Sequence, residues 1–356
     1  MFSWNRRNLL FVLVLGTTVF AGGCIKVKKE SPTATLLKTE TADIKQLQGE
    51  VERMARVSSM RARMYLKFED NSFAQFGSKE VYREADGEIV VQRPASILLK
   101  VQVPVIKSDV AQMTSDGEKF RVAILQDGGT GKYKKFVIGT NNADYSKSTE
   151  GLDASNGSPD AVAAKQVNAF ANLRPQHFTD AMLVRPIDPN NLYTHSTIYQ
   201  IEEDETLNKK SPIRKVTRGY YLLDEFVKGD AGELKIARRF WFDRVGKIRL
   251  ARQQIFDVKG EISSDIVYGR EGELTSTGEY KNLPLEIIVT RPQEKYSMRL
   301  RYQTPETVAI GQSYPPAAFV LENSWQLEEL DLDKKLQELL ASKPAEANKN
   351  TTNRIQ

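Results

Sequence analysis

Apolar and polar residues alternate with a period of two along much of this chain, and this pattern constrains the fold more than any other feature. Between residues 60 and 68, every second side chain is apolar and the intervening ones are polar or charged. Such alternation is typical of a strand with one buried face. Further strands are predicted at residues 81–93, 97–103, 193–202, 214–223, 234–242, 248–258, 262–268, 285–290 and 296–302.

This succession of strands, with few helices between them, predicts an antiparallel sheet curled into a barrel or half-barrel. Tight turns are expected at residues 85–87 (Ala-Asp-Gly), at residues 116–117 (Asp-Gly), at Gly246 and at Gly260, because Gly and Asp favour such connections. A stretch rich in Ser, Asn, Gly and Asp predicts a loop at residues 141–158.

Three segments have helical spacing instead. A short helix bounded by prolines is predicted at residues 175–183, and a terminal amphipathic helix is predicted over residues 327–340. The polar tail that follows is expected to be disordered. The first helix, over residues 41–57, repeats apolar residues at helical intervals: Ile44, Leu47, Val51 and Met54.

The N-terminus has the layout of an export signal. Arg6 and Arg7 form a basic region, residues 9–20 are apolar, and the small residues 21–23 lead directly to Cys24. This cysteine is the only one in the chain, so no disulfide can form within one molecule. The stretch resembles a lipobox, the processing site of bacterial lipoproteins, although residues 21–23 begin with alanine where leucine is usual. We predict cleavage before Cys24, a thioether-linked diacylglycerol on its thiol and a further acyl chain, such as palmitate, on the new amino terminus.

Two alternatives are an ordinary secretory signal with a chance cysteine and an uncleaved single-pass anchor. The anchor is disfavoured because the apolar run is about a dozen residues long, short of the ~20 that span a bilayer. The predicted organisation is a signal peptide at residues 1–23, a membrane tether at 24–40, one folded domain at 41–341 and a disordered tail at 342–356. Isoleucine, not the aspartate of the usual inner-membrane retention signal, follows the cysteine. We therefore expect a lipid anchor on the periplasmic face of the outer membrane.

Composition argues against several classes of function. Lys and Arg total 51 against 46 Asp and Glu, and loss of the two signal-peptide arginines leaves a charge of about +3, so no nucleic-acid surface is expected. Neither His177 nor His195 has metal-ligand spacing around it, and no metal or other cofactor is predicted. No nucleophile elbow and no free cysteine are available for catalysis, so we do not expect an enzyme.

One block of the sequence is more specific. Residues 57–62 (VSSMRA) would close the first helix and open the first strand, residues 87–94 (GEIVVQRP) follow, and then come Pro104 and residues 115–117 (SDG). This order and spacing is similar to that of the LolA/LolB group, the lipoprotein-sorting family of periplasmic carriers and outer-membrane receptors. The match covers roughly residues 54–124. In that family, an incomplete antiparallel barrel holds the acyl chains of a client lipoprotein on a concave apolar face that helices cover.

The resemblance implies a mainly β fold for residues 41–341. It would be a curved antiparallel sheet forming an incomplete, half barrel, with an N-terminal helix and short covering helices. The chain departs from the family in two respects. It is longer than the soluble carriers, and its predicted lipid anchor matches the receptor, whereas its Arg-Pro and Ser-Asp-Gly motifs look like those of the carriers.

Both the family resemblance and the alternation of the strand assign Arg93 to the apolar side of the sheet. In the family's carriers, the matching arginine points into the cavity and binds the covering helices until cargo is loaded. Independently, Ile89, Val91 and Arg93 share one face of their strand, which puts the guanidinium on the apolar side. A buried guanidinium needs acceptors, and carbonyl oxygens of the covering helices would supply them. The alternative is that Arg93, next to Pro94, extends into solvent.

These observations predict a binding protein. We expect a membrane-anchored lipoprotein that binds a lipid or lipoprotein acyl chain in an apolar cavity and serves lipid or lipoprotein trafficking to the outer membrane. One alternative is a structural or adaptor lipoprotein with a filled core that contacts other envelope proteins; another is an enzyme on a β scaffold. Binding requires an open cavity lined, with Arg93, by these residues: Met64, Leu66, Ile89, Val91, Leu99 and Val101.

Overall fold

The computed structural model describes residues 33–70, 80–81, 84–102, 108–126, 134–141, 143, 174–204, 207–229, 231–272, 274 and 280–341. Several features singled out in the sequence lie outside the described residues. They are Cys24 with the predicted signal peptide and most of the tether, Pro104, the 141–158 loop apart from two of its residues, and the tail from residue 342 onward.

The fold is mainly β, as predicted, and consists of one large, mostly antiparallel sheet that does not close into a barrel. Within the described ranges, the strands are β1 (Thr35–Leu36), β2 (Ser59–Asp70), β3 (Glu80–Val81), β4 (Ala85–Gln92), β5 (Ser96–Gln102), β6 (Asp109–Ser115), β7 (Lys119–Ile124), β8 (Phe136–Thr140), β9 (Leu192–Glu203), β10 (Lys215–Lys228), β11 (Leu234–Asp243), β12 (Arg249–Phe256), β13 (Ile262–Gly272), β14 (Leu283–Arg291), β15 (Tyr296–Tyr302), β16 (Ala309–Ile310) and β17 (Glu329–Asp331).

Two antiparallel series of strands meet at β2. Strands β10 to β15 pair in sequence order, and strands β4 to β8 do the same. β2 pairs with β15 on one side and with β4 on the other, so that Leu66 has Leu300 and Ala85 as its two neighbours. β17 adds a parallel strand beyond β8. The covalently distant halves of the sheet are thus joined by one N-terminal strand.

Three helices are described: α1 (Ile44–Ala55), α2 (Pro175–Met182) and α3 (Leu332–Ala341). α1 begins with a capping box, in which Asp43 Oδ1 accepts from the Gln46 amide at 2.8 Å and Gln46 Oε1 accepts from the Asp43 amide at 2.9 Å. Its buried stripe is Leu47, Val51 and Met54, the spacing expected of an amphipathic helix. No helix in the described part of the chain is long and apolar enough to cross a membrane.

α2 is short but deeply packed. It starts at a proline, which suits the first helical position because that residue's amide needs no intrahelical partner. The Tyr268 hydroxyl of β13 donates to the carbonyl oxygen of Ala181 at 3.2 Å. Six of the eight residues of α2 are buried, including His177 and Phe178. A helix of this length is not stable by itself, so its stability comes mainly from tertiary contacts.

The turn predicted at residues 85–87 is wrong, because these residues lie inside β4. Gly87 pairs with Met64 of β2. A Cβ at this glycine would lie 2.6 Å from Cδ1 of Leu66. Glycine is therefore needed at this position because the side chain of Leu66 packs closely against it, and not because the chain turns there.

The predicted start of the terminal helix is also wrong. The apolar spacing suggested residue 327, but α3 begins at Leu332. The three preceding residues form β17, in which Leu330 lies opposite Val137 of β8. Backbone pairing with the open edge of β8 therefore overrides a helical pattern that the side chains alone would allow.

The chain forms two compact units. Among the described residues, the first contains residues 33–36, 201–204 and 207–217. Within this unit, β1 pairs in parallel with the start of β10, where Thr35 lies opposite Val216. The second unit contains the described residues between 37 and 200 and between 218 and 341. All residues of the site described below belong to the second unit.

Candidate functional site

One face of the sheet is apolar and closed off from solvent, and we call it the covered face. Its side chains come from neighbouring strands: Ile89 of β4 lies opposite Leu99 of β5 on one side and Ala62 of β2 on the other. The six side chains expected to line a cavity are all on this face, and each is 9% exposed or less. They belong to a single hydrophobic cluster: Met64, Leu66, Ile89, Val91, Leu99 and Val101.

Two helices cover this face. α1 lies over β12, and α2 lies over β4, β5, β6 and β14. Leu47 and Val51 of α1 and Phe178 and Met182 of α2 belong to the same cluster as the six strand residues. In this conformation, the space above the expected lining residues is therefore occupied by the protein's own side chains.

Arg93, in the turn between β4 and β5, binds three backbone carbonyls. Its Nε donates to the oxygen of Val57 at 3.0 Å, and its Nη2 donates to the oxygens of Ala55 at 3.0 Å and Val184 at 2.6 Å. Burial lowers the pKa of Arg93, and the carboxylate of Glu52 acts in the opposite direction. The guanidinium thus contacts the end of α1 and the chain that follows α2. Its acceptors are of the kind expected from the sequence.

A second arginine binds the chain that leaves α2. We call residues 184–187 the exit segment. Arg238 of β11 donates from Nη1 to the carbonyl oxygen of Arg185 and from Nη2 to that of Pro186, both at 2.8 Å. Two arginines from opposite halves of the sheet therefore bind three consecutive carbonyl oxygens of this segment.

The exit segment also contacts α1. The amide of Ile187 donates to Oε1 of Glu52 at 2.7 Å. Beside the segment lies a cleft of about 440 Å³, whose walls are residues of the segment itself, residues that follow it up to Asn191, and residues of β10 and β11. The hydrogen bonds that fix the segment are few and open space lies next to it, but Val184 is buried in the hydrophobic cluster, so movement of the segment would draw this side chain out of the core.

Arg238 is held in turn by a buried ion pair with Glu225 of β10. The side chains are 5% and 3% exposed. Glu225 Oε1 also accepts from Asn191 Nδ2 at 2.6 Å and from the Tyr193 hydroxyl at 2.9 Å. Burial alone would raise the pKa of Glu225, but its hydrogen bonds from these three side chains outweigh burial and keep that pKa below its ordinary value. Burial and the bond to Glu225 raise the pKa of Tyr193 to about 12. The buried charges are thus compensated.

Sequence reasoning missed Arg238, although a signal for it exists. Ile236, Arg238 and Phe240 occupy alternate positions of β11, and Phe240 is fully buried. The same parity that puts Arg93 on the apolar face therefore applies to Arg238. Its guanidinium carbon lies 4.9 Å from the centre of the Phe240 ring, an arrangement that favours a cation over an aromatic face.

α2 is also joined to β15 by two buried polar groups. His177 Nδ1 and the Tyr296 hydroxyl share a hydrogen bond. Burial, together with the positive charges of Arg291 and Arg174, holds the pKa of His177 well below its ordinary value. Burial also raises the pKa of Tyr296. Both groups are therefore neutral where they meet, and His177 is a structural histidine.

His195 lies apart from this site. It is exposed on β9, and its ring packs edge-on against Tyr221 with centroids 6.5 Å apart. Across the described residues, no group of three or more His, Cys, Asp or Glu side chains is placed to hold a metal ion. The covered face offers apolar contact, and arginine side chains supply hydrogen bonds to the backbone of the chain that covers it.

No protein-family model matches this chain, and no curated protein matches it. Among solved structures, it is similar to a LolA superfamily protein from Nitrosomonas europaea, with 8% identity and a TM-score of 0.38 over 77% of this chain and 97% of that one. It is similar to a DUF1329 family protein from Desulfovibrio piger, with 11% identity and a TM-score of 0.37 over 80% and 99%. A third is an outer membrane lipoprotein-sorting protein domain from Vibrio parahaemolyticus, with 10% identity and a TM-score of 0.35 over 75% and 93%.

The resemblance to the lipoprotein-sorting group is therefore found among solved structures as well as in the sequence motifs.

Proposed function

We propose that this chain is a lipoprotein, anchored through Cys24 to the periplasmic face of the outer membrane, that binds the acyl chain of a lipid or of another lipoprotein on the covered face. α1 and α2 move aside to admit the acyl chain. The protein serves in this way in the movement of lipids or lipoproteins to the outer membrane. Binding is its whole activity, so it catalyses no reaction and needs no cofactor.

The observation that supports this proposal most is how the covering helices are attached. Their apolar sides pack on the sheet, while the last residue of α1 and the exit segment after α2 are bound through backbone carbonyls to Arg93 and Arg238. A hydrogen bond to a charged group contributes about 1.5–3 kcal/mol. A small set of such bonds favours the closed arrangement by a margin that a ligand can overcome.

An acyl chain supplies enough free energy for this exchange. Burying one methylene contributes about 0.8 kcal/mol, so about ten methylenes contribute on the order of 8 kcal/mol. This is several times the contribution of one arginine–carbonyl bond. On opening, the helices would give up apolar contacts with the covered face, and the acyl chain would replace them.

The test uses a soluble form of the protein. Every contact described above lies within residues 33–341, so a chain that begins at Ile25 retains all of them. We expect lipids to co-purify with this chain, as identified by mass spectrometry, and lauric acid to displace an apolar fluorescent probe from it. Absence of both bound lipid and displacement would contradict the proposal.

A pair of adjacent residues supplies the matched control. Leu99 is on the covered face and Leu98 is on the opposite face of the same strand. Leu99→Glu should weaken lauric acid binding at least tenfold, because it puts a charge where the acyl chain lies, whereas Leu98→Glu should bind as the wild type does. Leu99→Thr replaces Leu99→Glu if circular dichroism shows that the charged variant does not fold. Equal binding by folded variants at both positions would remove Leu99 from the site.

A second candidate function is supported by the closed state itself. The six expected lining residues are buried beneath the protein's own helices. This is the arrangement expected of an adaptor lipoprotein, in which a filled β core serves only to support contacts with other envelope proteins. An adaptor would bind no acyl chain, with or without Arg93, so the displacement assay separates the two functions.

A further inference from the structure

Gln253, in the middle of β12, is a polar residue on the covered face. Its side chain is fully buried, and it lies between Phe240 of β11 and Ile266 of β13, which are also fully buried. Neither its Nε2 nor its Oε1 has a hydrogen-bond partner among the described residues. Because an unpaired buried amide is strongly unfavourable, a group that pairs with Gln253 is expected.

A second unpaired polar atom lies beside it. Ser264 of β13 is 1% exposed, and its Oγ has no partner in the described part of the chain. Ser264 lies opposite Ile255, two residues along from the position opposite Gln253. Diagonal neighbours of this kind share a face and are about 7–8 Å apart or less. One small polar group can therefore reach both side chains.

The surroundings of Gln253 are apolar on both sides. Gln254, the next residue, provides a comparison because it faces the other way and is paired: its Oε1 accepts from Trp241 Nε1 at 3.1 Å. The glutamine on the outer face of the sheet therefore has a hydrogen-bond partner, whereas the glutamine on the covered face has none among the described residues. The row across the strands that flanks Gln253 is made of buried apolar residues: Leu223, Phe240, Ile266 and Val289.

We infer that Gln253, together with Ser264, binds the polar end of an acyl ligand. This inference rests on the proposed acyl-binding function and adds the chemical class of the ligand. The carboxamide of Gln253 donates hydrogen bonds from its nitrogen and accepts them at its oxygen. A ligand that pairs with both atoms needs a carbonyl oxygen as acceptor and an O–H or N–H donor next to it. A neutral carboxyl group and an N-acyl amide have both, whereas a bare hydrocarbon has neither. The ligand is therefore a fatty acid or an amide-linked acyl chain whose polar end lies inside the sheet.

The test compares three ligands of similar length: lauric acid, N-methyl lauramide and tetradecane. Each is used to displace an apolar fluorescent probe from the chain that begins at Ile25. The wild type should prefer the two polar-ended ligands over tetradecane. Gln253→Leu should lose affinity for one or both of them about tenfold, with tetradecane unchanged within about twofold. A loss for lauric acid alone identifies the free acid, and a loss for N-methyl lauramide identifies the amide-linked chain.

Two further variants complete the test. Gln254→Leu, the matched control on the outer face, should keep the wild-type preference. Gln253→Leu should also raise the Tm of the ligand-free protein, because it removes an unpaired buried amide; Gln253→Met is the second variant, should the first not fold. If the folded variants keep the wild-type preference, the inference is overturned, ordered water is the partner of Gln253, and acyl binding stands. If none of the three ligands displaces the probe from the wild type, the proposed function fails and the inference fails with it.

Discussion

Arg93 Nη2 donates to the carbonyl oxygen of Val184 at 2.6 Å and to that of Ala55 at 3.0 Å. One nitrogen therefore joins the residue that ends α1 to the segment that follows α2. These bonds end on backbone atoms at the ends of the helices, so removing them leaves the apolar packing beneath in place. We therefore expect the closed arrangement of the covered face to depend on this arginine more than the fold as a whole does.

Arg93→Leu should therefore speed the release of a bound acyl ligand while the protein stays folded. Removing one partner of a charged hydrogen bond costs roughly 1–3 kcal/mol, enough to change an open–closed equilibrium about tenfold or more. Arg93→Lys should resemble the leucine variant, because an ammonium cannot reproduce the planar fork that reaches several acceptors. Stopped-flow release of a fluorescent acyl ligand measures the effect.

Arg61→Leu is the control for this experiment. Arg61 lies on β2, its side chain is largely exposed, and its partner is Glu88 on the outer face of the sheet. It should release the ligand at the wild-type rate. The same rate in wild type, Arg93→Leu and Arg93→Lys would mean that Arg93 does not hold the helices closed.

Arg238→Leu should destabilise the protein strongly. The substitution leaves the carboxylate of Glu225 buried with only neutral donors, and loss of one member of a buried ion pair costs about 3–5 kcal/mol. Arg239→Leu supplies the comparison, because Arg239 pairs with Asp224 on the same two strands with its side chain 32% exposed, where such pairs contribute about 0–1 kcal/mol. Urea unfolding of both variants measures the difference. If both variants lose the same free energy of unfolding, burial of the Arg238–Glu225 pair does not add to its contribution to stability.

Stability should fall on acidification because of His177. Its pKa is lower in the folded protein than in the unfolded chain, so below about pH 6.5 the unfolded chain binds a proton first. The free energy of unfolding should then decrease by up to about 1.4 kcal/mol per pH unit until the folded-state pKa is reached. His177→Gln keeps a polar partner for Tyr296 without titrating. The difference in the free energy of unfolding between the wild type and this variant should therefore shrink as the pH falls. If the two proteins lose stability in parallel, His177 is excluded as the cause.

Cys24→Ser should prevent both cleavage and lipidation. The motivation is the small-residue run that ends at the chain's only cysteine. Metabolic labelling with an alkyne fatty acid should mark the wild type and leave the variant unmarked, as a precursor of higher mass. If both take up the label equally, the anchor at Cys24 is wrong, whereas acyl binding on the covered face would remain to be judged by the displacement assay.

Alternation predicted the strands well because the sheet has one buried face and its side chains must follow a period of two. β15, for example, was expected at residues 296–302 and spans Tyr296–Tyr302. The preference of Gly and Asp for turns gave a wrong prediction at Gly87, where glycine reflects close contact with Leu66 and not a turn. Glycine has more than one structural use, and only the neighbour across the strands shows which one applies.

The sequence predicted the kind of acceptor that Arg93 binds, carbonyl oxygens of the covering helices, but not which residues supply them. Parity places both Arg93 and Arg238 on the covered face, but their acceptors are carbonyl oxygens near the end of α1 and in the exit segment, and a backbone oxygen has no sequence signature. The pairing of Arg238 with Glu225 depends on the register of β10 and β11, which a single sequence does not fix. The unpaired state of Gln253 likewise becomes visible only when every neighbour is known.

Photo-cross-linking tests the central claim, acyl binding on the covered face, most directly. A fatty acid with a diazirine near the end of its chain is irradiated with the wild-type protein, and the modified residues are mapped by mass spectrometry. We expect adducts on β2, β4 and β5, at residues such as Met64 and Leu99, and we expect excess lauric acid to suppress them. Adducts confined to exposed apolar side chains such as Leu192 and Val258, or adducts that lauric acid does not suppress, would contradict it.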